Sequence, residues 1–468
     1  MTVTRSRNRV AASTLVVLTL LAASCGGDDD DDTTATTAGA ATTSPAAPET
    51  TAAPETTAGS ATTAEASPAT TGEPVEAQTI KIGFAWPDLS AFEAASPAYG
   101  VGDQEQQLLS VLEAWRADGT LPVNGIDIEP VFESFDALDP ETKLAACQSF
   151  GNAGDVFAVI GARIFTEGAE CLGSRFQIPV LDTDQAPAAT LASAAPYMFS
   201  MKPDTSEAVQ LLVNWAAGTG SLDGKKVGLY WESQHSVAAD LFKEMLADTG
   251  ATLASEVESG GQGSVGAEQD GLAAQRFAAD GVDLVVFLVG SSSMVNFMQS
   301  AEDQGYKPGY LDFEWSSHMS DVASGAFNPN QWAGVTAISA TTIGDMPDLS
   351  PEAEECLSNY ESFSGTTIDR NPPEKSGEFS NILLVCDLAN IMLEGLRGAT
   401  EGGAELTADS FIAAVEGISD LPGAWVNSIS FSADDHTAPA TVREVAYDTE
   451  CPCWRASGDW TDINDYLG

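Results

Sequence analysis

The chain has 468 residues, 69 acidic and 19 basic, for a formal charge of −50 at neutral pH. That surplus of carboxylates disfavours nucleic acid phosphates and anionic membrane surfaces as partners and reads as a solvated surface. With 43% hydrophobic residues the chain can bury sizeable cores, and its length suits two lobes better than one small domain.

Arg5, Arg7 and Arg9 precede an apolar run that starts at Val10 and ends in Leu21-Ala22-Ala23-Ser24-Cys25. About 15 apolar residues are too few to span a bilayer but suit the core of a secretory signal. The final pentapeptide resembles a bacterial lipobox. That resemblance implies that residues 1–25 form a lipoprotein signal and that Cys25 carries acyl chains such as palmitate. These chains would be the only hold on the cell membrane, leaving the protein extracytoplasmic. The alternative is an ordinary signal peptide with an incidental cysteine. Residues 26–78 begin with Gly26, Gly27 and five aspartates, Asp28 to Asp32, then continue as a Thr/Ala/Pro/Glu tract without lysine or arginine. Such a segment cannot bury enough surface to offset chain entropy, so a disordered acidic linker is expected, with an end-to-end distance on the order of 40 Å.

From Thr79 short β-branched runs alternate with amphipathic segments, the pattern of parallel sheets with crossover helices. Strands are expected at 79–85, 126–132, 156–161, 178–181 and 197–200, with helices at 104–115 and 140–150 among them. Met201-Lys202-Pro203-Asp204 combines a proline with a helix N-cap, which marks a crossing into a second lobe. A second cycle follows, with strands at 225–231, 252–257 and 282–289 and helices at 237–249, 267–279 and 292–304. The fold class is α/β.

Six cysteines follow Cys25. An even number outside the cell suggests disulfides. Cys147 and Cys171 lie on helices flanking the strand at 156–161 and make the favoured pair, with Cys356 and Cys386 as the second. Cys451-Pro452-Cys453 remains, and a bridge across one residue closes a small strained ring that is open to reduction. No cysteine or histidine spacing suits a metal, and no cofactor is expected.

The blocks TIKIGFAWPDLS (79–90), VFAVIGARIFTEGAECLGSRFQIPVLDTDQAP (156–187), YMFSMKPDTSEAV (197–209), KKVGLYWESQHSVAADLFKEMLADTGATL (225–253) and VDLVVFLVGSSSMVNFMQSAEDQGYKPGYL (282–311) carry a family resemblance. In order and spacing they resemble type I solute-binding proteins of ABC importers, of the leucine/isoleucine/valine-binding kind. The resemblance implies two lobes, 79–202 with 340–435 and 203–339 with 436–468, joined by a three-strand hinge. It also implies capture of an amino acid or a related amide or carboxylate, delivery to ABC permease subunits, and a monomer without enzymatic activity.

Ligands of open parallel sheets collect where loops leave the carboxyl ends of the strands. The corresponding loops are 86–90, 162–166, 183–186, 233–237, 290–293 and 314–318. Candidate ligand residues are Trp86, Arg163, Phe165, Thr166, Thr183, Asp184, Gln185, His235, Ser236, Ser291, Ser292, Glu314 and Trp315. By resemblance, hydroxyls and amides near Thr166 and Thr183 hold a carboxylate and Glu314 takes an ammonium. The sequence departs from the family at Ala162-Arg163-Ile164-Phe165 and Asp182-Thr183-Asp184-Gln185, so Arg163 becomes the candidate carboxylate clamp. Alternatively Arg163 pairs with Asp155 or Glu167 at the rim. The aromatics are cleft walls or lobe packing.

Gly261-Gln262-Gly263-Ser264-Val265-Gly266 matches a dinucleotide fingerprint and keeps a nucleotide-dependent enzyme as a second reading. The turn before it is longer than the tight version. A tethered ligand sensor is the third reading, indistinguishable from a transport component by sequence. His235, His318 and His436 are isolated and suggest no catalytic pair.

Overall fold

The computed structural model describes residues 77–95, 100–137, 139–260, 264–315, 318–319, 328–342, 348–370 and 377–467. Cys25, the signal, the linker up to residue 76, and Gly261 to Gly263 lie outside the described residues.

The first lobe is a parallel sheet of β1 (Gln78–Asp88), β2 (Ile126–Asp136), β3 (Val156–Gly161), β4 (Val180–Asp182) and β5 (Met198–Ser200), in the order β2-β1-β3-β4-β5. Ile80, Ile82 and Phe84 alternate along β1 and are buried on one face, as a period of two requires. Helices α1 (Ser90–Ala95), α2 (Gln104–Asp118) and α3 (Pro140–Ala153) follow the first two strands. Local chemistry ends them cleanly. Asp103 caps α2 by accepting from Gln106 N, Asp139 caps α3 ahead of Pro140, and Gly119 and Gly154 close them at φ 87° and 73°.

Helix α4 (Thr166–Cys171) runs into a π turn at Leu172–Phe176, and α5 (Ala188–Ala194) precedes β5. The Cys147–Cys171 disulfide joins α3 to the end of α4, with both cysteines buried.

The second lobe holds α6 (Thr205–Gly218), β6 (Lys226–Glu232), α7 (Ser236–Ala247), β7 (Thr252–Ser259), α8 (Ser264–Asp280), β8 (Leu284–Leu288), α9 (Ser291–Asp303), β9 (Gly309–Phe313), α10 (Pro329–Trp332) and β10 (Thr336–Ser339). Strands β6 to β10 are parallel. The chain then returns to the first lobe with α11 (Pro351–Ser364), α12 (Gly377–Ala399), α13 (Ala408–Glu416) and the small hairpin of β11 (Leu421–Pro422) and β12 (Ser428–Ile429). Although the stretch Gly377–Gly403 is long and apolar enough to cross a membrane, it is a buried core helix, packed with α2 and α11 under the first sheet.

Finally β13 (Thr441–Asp448), β14 (Cys453–Ala456) and β15 (Thr461–Asp462) add an antiparallel edge to the second sheet. Trp332 and Trp454, with ring centroids 5.2 Å apart, cover that edge. Cys451 and Cys453 are bonded across its hairpin, and Cys356 is bonded to Cys386 between α11 and α12.

The chain passes between lobes at residues 201–204, 340–342 and 437–440. These passages are stitched together: Ser200 N donates to His436 O (2.8 Å), Ala438 N to Ser200 O (2.8 Å), and Thr342 N to Trp425 O (2.9 Å). Asp204 caps α6 in a reciprocal box, taking Glu207 N at 2.9 Å while its own N–H donates to Glu207 Oε2 at 2.9 Å. Thr437 Oγ1 lies between Glu207 Oε2 (3.1 Å) and Asp435 Oδ1 (2.8 Å). Burial, with the charges of Asp435 and Asp204, pushes the Glu207 carboxyl up to about 7.

Two outcomes follow from this construction. Because its pKa is raised by folding, Glu207 contributes stability below the pKa of a free glutamate, roughly 4.3, and that contribution is lost as pH rises through about 7. Glu207→Gln preserves the capping hydrogen bond and should stabilise the domain at pH 8 by about 1–2 kcal/mol, discounted for partial exposure, with little effect at pH 4.5. Thermal melts at the two pH values measure this. Removing the Cys147–Cys171 bridge, with a sequence separation of 24, in the double alanine variant should cost about 3–4 kcal/mol in urea unfolding.

Candidate functional site

The carboxyl ends of β1, β3 and β4 and those of β6, β8 and β9 carry the candidate residues. Two loops of the first lobe interlock. Arg163 and Ile164 both take left-handed backbone at φ 55° and 57°, an unusual conformation for non-glycine residues and a strained one for β-branched Ile164. Side chains of the β4 loop hold them there: Arg163 N donates to Thr183 Oγ1 at 2.7 Å, and Phe165 N to Asp184 Oδ2 at 3.0 Å. This turn sends Phe165 inward. Named as a candidate ligand residue, with lobe packing as the alternative, it packs at 5.3 Å on Phe135 inside the first lobe, fully buried.

Thr166 opens α4 and donates through Oγ1 to Asp182 Oδ2 at 3.1 Å. Asp182 is 0% exposed, and burial together with Asp184 pushes its carboxyl well above the usual range. Burial also raises Asp184, against the pull of Lys202, Lys143 and Arg163.

Arg163 is not a rim residue paired to Asp155 or Glu167. Lys81 takes Asp155 at 2.6 Å and Lys143 takes Glu167 at 3.0 Å. Arg163 Nε donates to Asn381 Oδ1 (2.6 Å), Asn381 Nδ2 to Gln107 Oε1 (2.6 Å), and Gln107 Nε2 to Val101 O (2.7 Å). A relay from α12 and α2 thereby fixes the guanidinium plane.

The second lobe contributes Glu314, buried at the end of β9. Its Oε1 accepts from Ser339 Oγ at 2.5 Å and from Thr341 Oγ1. Burial raises its pKa while Lys202 opposes the rise. Lys202, in the first hinge passage, is 7% exposed with its ammonium 5.6 Å from the Trp425 ring centroid. Burial lowers its pKa against the attraction of Glu314 and Asp184. Trp425 is placed by Asp387, a buried carboxylate that accepts from Ala424 N (2.6 Å), Trp425 N (2.9 Å) and Val426 N (2.9 Å). Despite those donors, burial pushes Asp387 up to about 7.

His235, just before α7, stands edge-on to buried Trp315 at 4.9 Å. Burial and neighbouring His318 lower its pKa to about 4, so it is neutral at pH 7. His318 is enclosed, with Nδ1 3.1 Å from Asp312 Oδ1 and Nε2 2.8 Å from Val289 O. Ser236 starts α7, and Ser291 and Ser292 lie in the first turn of α9 behind Gly290. Trp231 faces α7, where Lys243 sits 5.8 Å from its ring centroid.

The interlocked loops join Arg163, Thr166, Thr183 and Asp184, whereas Trp86 and Gln185 stand at neighbouring strand ends with buried Nε1 and Nε2 lacking hydrogen-bond partners. Sequence reasoning missed Lys202, Asn381, Trp425, Asp387, Ser339 and Thr341. Only Lys202 had a local signal, as a lysine in the crossing motif of a chain with few basic residues. Among the described residues no three His, Cys, Asp or Glu side chains gather to hold a metal. The described part of the glycine motif opens α8 after β7, an edge strand of its sheet, away from the inner strands that frame the cleft.

A two-lobed α/β protein with a hinge and polar groups converging between lobes defines the class of solute-binding proteins. The family model for periplasmic binding proteins matches residues 79–450, and the chain belongs to that family. Among solved structures it is similar to a branched-chain amino acid ABC transporter protein from Thermus thermophilus with bound valine, at 14% identity and a TM-score of 0.64, covering 84% of this chain and 100% of that one. It is also similar to two solute-binding proteins of ABC transporters from Rhodopseudomonas palustris, each at 16% identity. One holds 4-hydroxybenzoate (TM-score 0.62, 83% of this chain and 99% of that one), and the other, from strain BisB5, holds 3,4-dihydroxybenzoic acid (0.60, 82% and 98%). No curated protein matches the sequence.

Asp387 offers a direct test of how this site is held. Asp387→Ala would leave three buried N–H groups without an acceptor and should lower unfolding free energy by about 3–5 kcal/mol, measured by urea denaturation.

Proposed function

We propose that this protein is the extracytoplasmic solute receptor of an ABC importer, tethered through lipid on Cys25 and the acidic Thr/Ala/Pro-rich segment that follows it. It captures one small polar solute between its lobes, leaves it chemically unchanged and hands it to permease subunits. One observation carries this reading. The strand ends of the two lobes meet around a charged cluster of half-buried Arg163 and Asp184 with buried Lys202 and Glu314, beside the passages that would act as a hinge. Polar groups buried at a lobe junction are costly unless a partner uses them.

Family membership supports solute capture over catalysis. Four of the structural neighbours hold valine, leucine or a hydroxybenzoate, molecules that share a carboxylate. Arg163 suits a carboxylate because its guanidinium is already oriented by Asn381.

Solute at 1,000 times its dissociation constant should add about 4 kcal/mol of stability. The purified protein is therefore expected to show a clear thermal shift with its solute, one solute per chain in native mass spectrometry, and recovery of that solute unaltered. Recovery of a changed compound would move the protein to an enzyme class.

A further inference from the structure

We propose that the solute is an organic carboxylate without an amino group, and that Lys202 supplies from the protein the cation that an amino acid would bring with it. The inference rests on the solute-binding reading above and specifies its ligand. It comes from asking which charged groups at the lobe junction the protein already satisfies.

The two acids that face Lys202, Glu314 and Asp184, are provided for. Glu314 is 5% exposed and receives the hydroxyls of Ser339 and Thr341 while facing the Lys202 charge. Asp184 takes Phe165 N; Asp182, fully buried, has Thr166 Oγ1 on Oδ2 and no partner on Oδ1, and burial together with Asp184 pushes its carboxyl well above the usual range, toward the neutral acid. A ligand ammonium seeking Glu314 would have to displace Lys202 or sit beside both Lys202 and Arg163. Either arrangement sets like charges together in a site screened from water.

The donors are left over. Among the described residues, the Lys202 ammonium has no hydrogen bond and no carboxylate within 4 Å, although it is nearly buried. Arg163 uses Nε on Asn381, and its two terminal nitrogens make no hydrogen bond to a described residue. Trp86 Nε1, Gln185 Nε2 and His235 Nδ1 are further buried nitrogens without partners. The His235 nitrogen is a donor for a geometric reason: Gln234 Nε2, 3.3 Å from His235 Nε2, can only donate, so the ring proton sits on Nδ1.

A cleft in which Glu314 and Asp184 are satisfied while the donors around Lys202 and Arg163 stay open is complementary to an acceptor. A carboxylate can take both terminal nitrogens of Arg163 in a forked contact and lie within reach of the Lys202 charge. The Lys202 stem and the Trp425 ring then offer apolar surface to the body of the solute.

Matched pairs decide the matter: 4-methylpentanoate against leucine, 3-phenylpropanoate against phenylalanine, and succinate against aspartate. Neutral 4-methylpentanamide and glucose complete the panel, with titration calorimetry and thermal shift as readouts on the full mature protein. At least one amine-free acid should bind ten or more times more tightly than its amino partner. Lys202→Met should lower that affinity at least tenfold and narrow the gap within the pair. Glu314→Gln, which preserves shape and guards against a Lys202 variant that fails to fold, should leave the affinity for the acid unchanged or raise it. Tighter binding of the amino acids, with a tenfold loss in Glu314→Gln, would overturn the inference. Binding of neutral solutes alone would overturn it while leaving solute capture intact. No binding by any member would remove both readings.

Discussion

The interlock between the β3 and β4 loops is the constraint on which the rest of the site depends. Two consecutive left-handed residues, Arg163 and Ile164, are unfavourable in isolation, and they persist because Thr183 and Asp184 accept the N–H groups on either side of them. The turn buries Phe165 as an anchor in the first lobe and leaves the guanidinium beside it at the junction. Strain at this point becomes preorganisation: the cation is aimed before a solute arrives, so less ordering is required on binding.

Around that clamp the protein distributes its polar groups unequally. Glu314 receives two hydroxyls and Asp184 a backbone N–H of the same chain, whereas Lys202 and the ends of Arg163 have no such partners among the described residues. Distant segments maintain the arrangement. Asp387 in α12 collects three N–H groups and so holds Trp425 beside Lys202, and Asn381, about two turns earlier on that helix, orients Arg163. One buried helix of the first lobe therefore positions groups in two chain segments that lie more than 200 residues apart in sequence. The hinge passages, tied through Ser200, Ala438 and Thr342, keep these parts in register.

Much of the fold was legible in local pattern. Ile80, Ile82 and Phe84 read as a strand because alternation has only one structural meaning at that length, and Asp103, Asp139 and Asp204 mark helix starts because a carboxylate there satisfies free N–H groups. The pairing of Cys147 with Cys171 followed from two helices beside one strand. Strand ends also disclosed which loops to inspect. Phe165 stayed open in the sequence because an aromatic at a strand end can face either the cleft or the core, and only the backbone turn at Arg163 decides between them.

By itself, then, the sequence determined the α/β alternation, the helix caps, the crossing at Met201 to Asp204 and the loops from which a site could be built. These are short-range matters of periodicity and hydrogen-bond supply. Only the tertiary structure decided which charges are spent and which are free. Lys202, Glu314, Ser339 and Trp425 are separated by long stretches of chain, and whether a buried cation meets a carboxylate, a ring or nothing depends on how two lobes are brought together. Electrostatics at a junction is a property of distances, and those distances appear only once the chain has crossed between its lobes three times.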